Sequence, residues 1–358
     1  MRWNYIRWIQ ELLDTTSDSY SDRFDAERDV IGLDIGTGAS AIYPLLACST
    51  RQRWRMVGTD IDSHSLDCAR QNVSRNNLTK RIKIVQSPDA DTPLIPLDKL
   101  GIEEIDFCMT NPPFYSSQDD MLASYGGKAA APSAICTGAE NEMICPEGDV
   151  GFVSRIVAES LQLRERVQWY TAMLGKLGSL QAIVDKLKKE GVTNWAVTCL
   201  QAGRRTKRWA VAWSFRDYRP RNDVARHGEL VKAVLPPVTA QTVEVPALDQ
   251  SGAGKRVDGI VRELDVRWVW RALHSAGVME CKGNVWSRSA RRKKRFGGVG
   301  EGKMSEEDGK SSEEDEVALA MKVTCEDKKV EVRWLRGMDH VLFESFCGML
   351  KRSLLAST

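Results

Sequence analysis

The sequence predicts a doubly wound, Rossmann-like α/β domain with a seven-stranded sheet, followed by a small C-terminal α/β appendage. Three observations carry this. From Asp29 to Ser214 short β-rich runs alternate with helical stretches, which implies a parallel sheet covered on both faces. The first strand runs straight into Gly36-Thr37-Gly38 and then a helix, the junction where a backbone must approach a ligand closely. After Pro220 the alternation stops and prolines accumulate at 236, 237 and 246.

Met1–Leu13 is amphipathic and carries Arg2 and Arg7, as a transit peptide would, but Glu11 and Asp14 follow quickly. Trp8, Ile9, Leu12 and Leu13 fall on one helical face, so a helix docked on the domain is expected. Strands are predicted at Val30–Leu33, Trp54–Gly58, Ile82–Val85, Ile105–Met109, Trp169–Leu174, Ala196–Leu200 and Trp209–Phe215. Helices are predicted at Ala39–Ala47, where Pro44 should cost a hydrogen bond and bend the chain, and at Ser63–Arg75, Phe152–Leu163 and Leu180–Lys189. The last two strands, with no helix between them, should form an antiparallel hairpin at the sheet edge.

The domain is placed at residues 1–220, a linker at 221–262, and the appendage at 263–358. Within the linker, Asn222–Gly259 shows little periodicity. The appendage is read as a helix at Leu264–Ala276, a hairpin of Val317–Cys325 and Lys329–Trp334, and a helix from Met338 to Leu355. Between them lie the basic cluster Arg288–Arg295 and the acidic run Glu301–Glu316, part of a charged loop at about 297–316 expected to be disordered.

Composition narrows the partners little. The 358 residues are 42% hydrophobic and 28% charged, with a net charge of +2, which fits a globular chain and names no ligand class. Nine cysteines without a Cys-x-x-Cys pair, and only four histidines, disfavour a zinc module or a disulfide scaffold; no metal is expected. No apolar run approaches the roughly 18 residues of a membrane span, so no membrane partner is expected.

The chemistry-bearing residues sit where strands end. Gly36-x-Gly38-x-x-Ala41 loosely fits a dinucleotide fingerprint, but Asp34 at the strand end would repel a pyrophosphate. No Gly-Lys-Ser/Thr is present, so a triphosphate loop is excluded. Asp34 with glycines behind it suits a cationic small molecule bearing an amine and a sulfonium, and a merely tight turn is the bland alternative. Asp60, at the tip of the second strand, can accept both ribose hydroxyls, with Asp62 the better helix cap. Asn111-Pro112-Pro113-Phe114 follows the fourth strand. The Asn111 side-chain oxygen and the Pro112 carbonyl can accept both N–H bonds of an exocyclic amine and draw its lone pair out of the ring. Pro113 stiffens the turn and Phe114 can stack on a base.

These runs together resemble S-adenosylmethionine-dependent amino-methyltransferases. Gly32–Leu46, Asp106–Phe114 and Arg208–Phe215 are narrower still and are similar to the methyltransferase-like protein 16 family of RNA adenosine-N6 methyltransferases. The resemblance covers Arg2 to about Phe215. It implies a class I methyltransferase fold, S-adenosylmethionine as cofactor, and structured RNA as partner, U6 small nuclear RNA and messenger-RNA hairpins above all. It places Arg2 at the methionine carboxylate, Gly36 at the methionine moiety with Asp34 and Gly38 beside it, Asp60 at the ribose, Thr92 near the adenine and Asn111 near the transferring methyl. It makes Tyr115–Gly148 a lid over the target base, and Arg204, Arg205, Lys207 and Arg208 a basic hairpin on RNA phosphates. A monomer in the nucleus or cytoplasm is expected.

The chain departs from the family in three places. Gln86–Asp91 lacks the lysine placed beside the cofactor, the region after Pro220 is similar only in layout, and the basic segment that precedes the Arg2 position is missing. A start placed too far downstream is favoured over a short form that relies on a partner; either way the chain alone should bind cofactor and turn over RNA poorly. Ribosomal RNA adenine methylation, protein glutamine N-methylation and non-catalytic RNA binding are the competing readings.

Overall fold

The computed structural model describes residues 1–88, 92–113, 147–202, 206–287, 290 and 317–356. Two compact units result: Met1–Arg216 with Asp223–Pro236, and Asp217–Asn222 with Pro237–Thr358.

The first unit holds a seven-stranded sheet in the order β3-β2-β1-β4-β5-β7-β6. Its strands are β1 (Val30–Ile35), β2 (Trp54–Asp60), β3 (Ile82–Gln86), β4 (Ile105–Thr110), β5 (Val167–Leu174), β6 (Asn194–Ala202) and β7 (Thr206–Ser214). The first five pair in parallel, and β7 lies antiparallel between β5 and β6, so the expected hairpin is present with β6 at the edge. Strand order reverses between β1 and β4, which opens a crevice beyond their carboxyl ends.

One face is covered by α1 (Arg2–Thr15), α2 (Ile42–Thr50) and α3 (Ser63–Arg75), the other by α5 (Gly148–Leu163) and α6 (Leu177–Lys189); α4 (Leu97–Leu100) is a single turn. The N-terminal segment is a docked helix: Tyr5, Ile6, Ile9, Leu12 and Leu13 are buried against the sheet. Burying each such side chain contributes roughly 1.5–3 kcal/mol, far more than its helix propensity. Gly32 permits this packing, because a Cβ there would come within 2.4 Å of the Phe107 ring.

Helix α2 corrects one expectation. It starts at Ile42 rather than Ala39, because Ala41 turns left-handed at φ 46°. Pro44 therefore occupies the first turn, where its missing N–H would have had no helical partner, and it costs no hydrogen bond.

The second unit is a five-stranded antiparallel sheet in the order β8-β12-β11-β10-β9. Its strands are β8 (Ala240–Glu244), β9 (Arg267–Arg271), β10 (Ala276–Cys281), β11 (Leu319–Glu326) and β12 (Lys329–Arg336). Helices α8 (Gln250–Arg262) and α9 (His340–Leu355) supply Val257, Val261, Phe343, Phe346 and Leu350 to a core with Met321, Val323, Val332 and Trp334. The hairpin around Glu326-Asp327 and the last helix match the sequence reading.

Two expectations fail here. Residues 221–262 are no plain linker but carry α7 (Asn222–Ala225), β8 and α8. Three glycines dilute the helical pattern of α8, yet Ala253, Val257 and Val261 recur every four residues behind an Asp249 cap. Leu264–Ala276 is not a helix either. Arg267-Trp268-Val269-Trp270-Arg271 alternates between more and less exposed positions, and its aromatic and β-branched residues suit a strand. Most of Arg288–Arg295 and all of Glu301–Glu316 lie outside the described residues.

Candidate active site

The crevice is walled by three strand ends and by the first turn of α1. At the end of β1, Gly36 and Thr37 both donate their N–H groups to the Thr59 carbonyl, each at 2.9 Å, which folds the glycine loop over β2. Gly36 and Gly38 have φ of 73° and 62°, values open to glycine at little cost. Nothing stands within 4 Å of where a Gly36 Cβ would project, so that loop faces open space. Gly58 leaves room for the Thr37 hydroxyl, 2.9 Å from where its own Cβ would be.

Asp34 differs from its sequence reading. Its carboxylate is not presented at the strand tip but fully buried beneath the loop, with Oδ2 accepting from the Thr37 hydroxyl at 2.8 Å. The other oxygen, Oδ1, is buried with no hydrogen-bond partner among the described residues. Burial, reinforced by the Asp60 charge, pushes the Asp34 carboxyl up to about 7. A strand end ahead of a tight loop buries its side chain by the same geometry that bares the loop amides.

Asp60 is half-buried at the tip of β2. Its Oδ2 accepts from Gly38 N–H at 2.9 Å and its Oδ1 from Asp62 N–H at 3.1 Å, so it is locked to the glycine loop. Asp62 caps α3, accepting from Ser65 N–H at 2.8 Å; hydrogen bonds from the Ser65 hydroxyl and then its backbone N–H lower the Asp62 carboxyl below the usual range.

Asn111 and Pro112 leave β4 directly after Thr110, whose hydroxyl donates to the Ile35 carbonyl at 2.9 Å and pins the end of β4 to that of β1. Pro112 is buried and Asn111 half-buried; Phe114 lies outside the described residues. Arg2 opens α1 and hydrogen-bonds the Tyr43 hydroxyl on α2, a phenol that also feels the Asp34 charge. The structure therefore brings Arg2, Asp34, Gly36, Gly38 and Asp60 around one loop, with Asn111 on the adjoining strand end. Thr92 follows β3, and its carbonyl accepts from Arg155 at 3.5 Å.

Two residues of this wall were not singled out in the sequence. Tyr5 is fully buried, 2.8 Å from the Thr171 hydroxyl and 3.5 Å from the Thr110 carbonyl that precedes Asn111. Its ring meets Tyr43 edge-on at 5.9 Å. The helical spacing of Tyr5 with Trp8, Ile9 and Leu12 was available as a signal; the pairing with Tyr43 was not.

The basic hairpin is less open than expected. Lys207 is 2.9 Å from the Glu229 carboxylate, which raises the lysine above its ordinary range, and Arg208 donates to the Lys207 carbonyl. Arg204 and Arg205 lie outside the described residues, as does nearly all of the 115–148 lid segment. Among the described residues no cluster of His, Cys, Asp and Glu could hold a metal ion.

A doubly wound sheet with a glycine loop over a buried acid at the end of β1, a second acid at the tip of β2, and Asn-Pro-Pro after β4 defines a class I methyltransferase of amines. A family model described as RNA methyltransferase matches residues 1–217, and the chain belongs to that family. It is 37% identical over 354 residues to the U6 small nuclear RNA (adenine-(43)-N(6))-methyltransferase of Schizosaccharomyces pombe, covering 99% of this chain and 85% of that protein. It is 39% identical over 219 residues to the RNA N(6)-adenosine-methyltransferase METTL16 of Homo sapiens, where the match takes in 61% of this chain and only 38% of the relative. The crystal structure of the human METTL16 catalytic domain with MAT2A 3′UTR hairpin 1 is similar at a TM-score of 0.51 and 37% identity, over 60% of this chain and 70% of that one.

Proposed function

We infer that this chain methylates the N6 amine of an adenosine in structured RNA, with U6 small nuclear RNA as the substrate. The observation that carries the reading is Asn111-Pro112 held beside the Gly36–Gly38 loop by the Thr110–Ile35 bond. A relative named for that reaction and matched along nearly the whole chain supports it.

The crevice fits S-adenosylmethionine by its own features. Gly36 fronts open space, Asp34 Oδ1 is a buried acceptor without a partner among the described residues, and each Asp60 oxygen keeps a lone pair for a ribose hydroxyl. When bound, S-adenosylmethionine supplies an electrophilic methyl on a sulfonium. Arg2, kept in place by Tyr43, would meet a carboxylate. Asn111 and Pro112 would accept the two N–H bonds of a flipped-out adenine, orient its lone pair at the methyl and stabilise the charge that develops on nitrogen. An unpaired or bulged adenosine is the cheapest to flip.

A messenger-RNA hairpin is a second substrate on this reading, supported by the hairpin bound to the human catalytic domain. Action as a monomer, in the nucleus or cytoplasm and away from membranes, belongs to the same proposal. The test is transfer of label from tritiated S-adenosylmethionine to a U6 transcript, the same transcript with its target adenosine replaced by guanosine, total DNA, and total protein. Label should enter only the first. Label in protein instead would overturn the reading in favour of glutamine N-methylation.

A further inference from the structure

The amino ends of β1–β3 carry a feature the reaction does not use. Helix α3 packs on the face that holds Ala69 and Val73, while α5 and α6 cover the other face nearer β4 and β5. Among the described residues the crossover between β3 and β4 contains only α4, a single turn, and no long helix covers that second face at the start of β1–β3. The pairings Ile31 with Arg55 and Val57 with Lys83, and the alternation along β2, set these four side chains on one surface. With Ile102 and Lys80 they line a groove of about 250 Å³. Its floor is apolar, from Ile31, Val57 and Ile102; its rim is cationic, from Arg55, Lys80 and Lys83, all exposed.

The rim charges are uncommitted. Arg28, Arg51, Arg53, Arg166 and Arg216 in the same unit each meet a carboxylate within 4 Å, whereas Arg55, Lys80 and Lys83 meet none among the described residues. Arg81, also at the groove, is occupied elsewhere, donating to the carbonyls of Cys48, Arg51 and Gln52 at the end of α2. The groove is smaller than the roughly 300–1,000 Å³ of sites that enclose a whole small ligand, which favours one residue of a longer polyanion. Arg55 stands five residues before Asp60 on β2, roughly 17 Å from the cofactor acid at about 3.3 Å per residue.

We propose that this groove takes an unpaired nucleotide of the substrate RNA that lies outside the methylated hairpin. The base rests on Ile31, Val57 and Ile102, and the flanking phosphates meet Arg55, Lys80 and Lys83. A groove of about 250 Å³ suits a single unpaired base, and the uncommitted cations match the charge of the backbone. The proposal rests on the RNA-methyltransferase reading but concerns a surface apart from the catalytic crevice.

The test compares wild type with the surface variant Arg55→Gln/Lys80→Gln/Lys83→Gln on two probes, a full-length U6 transcript and a minimal hairpin containing only the target stem-loop. Affinities are read by fluorescence anisotropy across a potassium chloride series. The variant should bind the full transcript about tenfold more weakly at low salt, with a salt slope reduced by about two for three lost single-strand contacts. Its affinity for the hairpin, its affinity for S-adenosylmethionine and its hairpin methylation should match wild type. Unchanged affinity for the full transcript overturns the proposal and leaves the groove to an acidic protein segment. Equal losses on both probes overturn it too, since they show a general field rather than a distal contact. Failure of wild type to methylate either RNA would overturn the functional reading, and the two binding curves would still decide the groove.

Discussion

The two ends of the seven-stranded sheet differ in what they ask of the fold. At the carboxyl end of β1 an aspartate is fully buried with an oxygen that has no partner among the described residues, and the loop after it includes Ala41 at a left-handed φ of 46°. A non-glycine residue there costs of order 1–3 kcal/mol, and a buried acceptor without a partner costs about as much again. At the amino ends of β1–β3 the chain is relaxed: extended strands, exposed cations and an apolar floor. Chemistry needs groups fixed before the substrate arrives, and fixing them is destabilising. Gripping a phosphate chain needs only charge near a surface, which costs the fold little. Substitutions at the two ends should therefore fail in different ways.

The largest expected effect belongs to the carboxyl end. Asn111→Ala should lower methyl transfer at least a hundredfold, a loss of about 2.7 kcal/mol or more of transition-state stabilisation, while cofactor affinity changes less than about threefold. The side chain's partner exists only when adenine is in place. Single-turnover rates with saturating RNA, set beside calorimetry for the cofactor, check this. A variant that keeps a tenth of the wild-type rate would remove Asn111 from its role. No substitution at the amino end should touch the single-turnover rate.

Asp34 gives the next effect, and here the destabilisation can be measured. Its carboxyl lies at about 7 in the fold against 3.8 for a free aspartate. The folded state thus binds the proton more tightly, and stability from this group is full below pH 4 and lost as pH rises towards 7 and beyond. Asp34→Asn removes that slope. At pH 8 the variant should be more stable than wild type by about 1–3 kcal/mol, less than the full linkage energy because the new amide buries N–H donors where the Asp34 Oδ1 has no partner among the described residues. The advantage should vanish near pH 4, and cofactor affinity should fall, since the buried charge that complements a cationic ligand is gone. Urea denaturation at pH 4 and pH 8 reads the first part and calorimetry the second. A variant no more stable than wild type at pH 8 would contradict the buried, proton-holding carboxylate.

Sequence and structure agree where local pattern and tertiary role coincide. Helix α3 is read to the residue because Asp62 caps it and Leu66, Ala69 and Val73 mark its apolar side. The strand tips bearing Asp60 and Asn111 are legible for the same reason. What escaped depended on partners distant in sequence. Asp34 reads as a presented charge because nothing in Gly32–Gly38 reveals that Thr37 and Thr59 fold the loop over it. Tyr5 and Tyr43 meet across 38 positions of chain. In the second unit, Trp268 and Trp270 sit in a short strand whose identity comes from pairing with Met279 and Gly277 on β10.

The smallest effect separates gripping RNA from merely being charged. Lys207 sits on the strand that leaves the basic hairpin, but its ammonium already faces Glu229 at 2.9 Å, and both side chains are exposed. An exposed pair of this kind is weak and screened by salt, so a phosphate could displace the carboxylate, though only by first breaking it. Lys207→Gln should therefore weaken RNA binding by no more than about threefold and change the salt slope by less than one. Glu229→Gln is the sharper half of the experiment: by releasing the ammonium it should tighten RNA binding by about twofold at low salt, and the gain should fade as salt is raised. It should have no effect in a Lys207→Gln background, since Glu229 then has no lysine to restrain. Gains that persist in the double variant would mean that Glu229 repels RNA directly. A silent Glu229→Gln together with a silent Lys207→Gln would make this pair a strut of the hairpin's base, and the grip on RNA would rest on Arg208 and the residues before it.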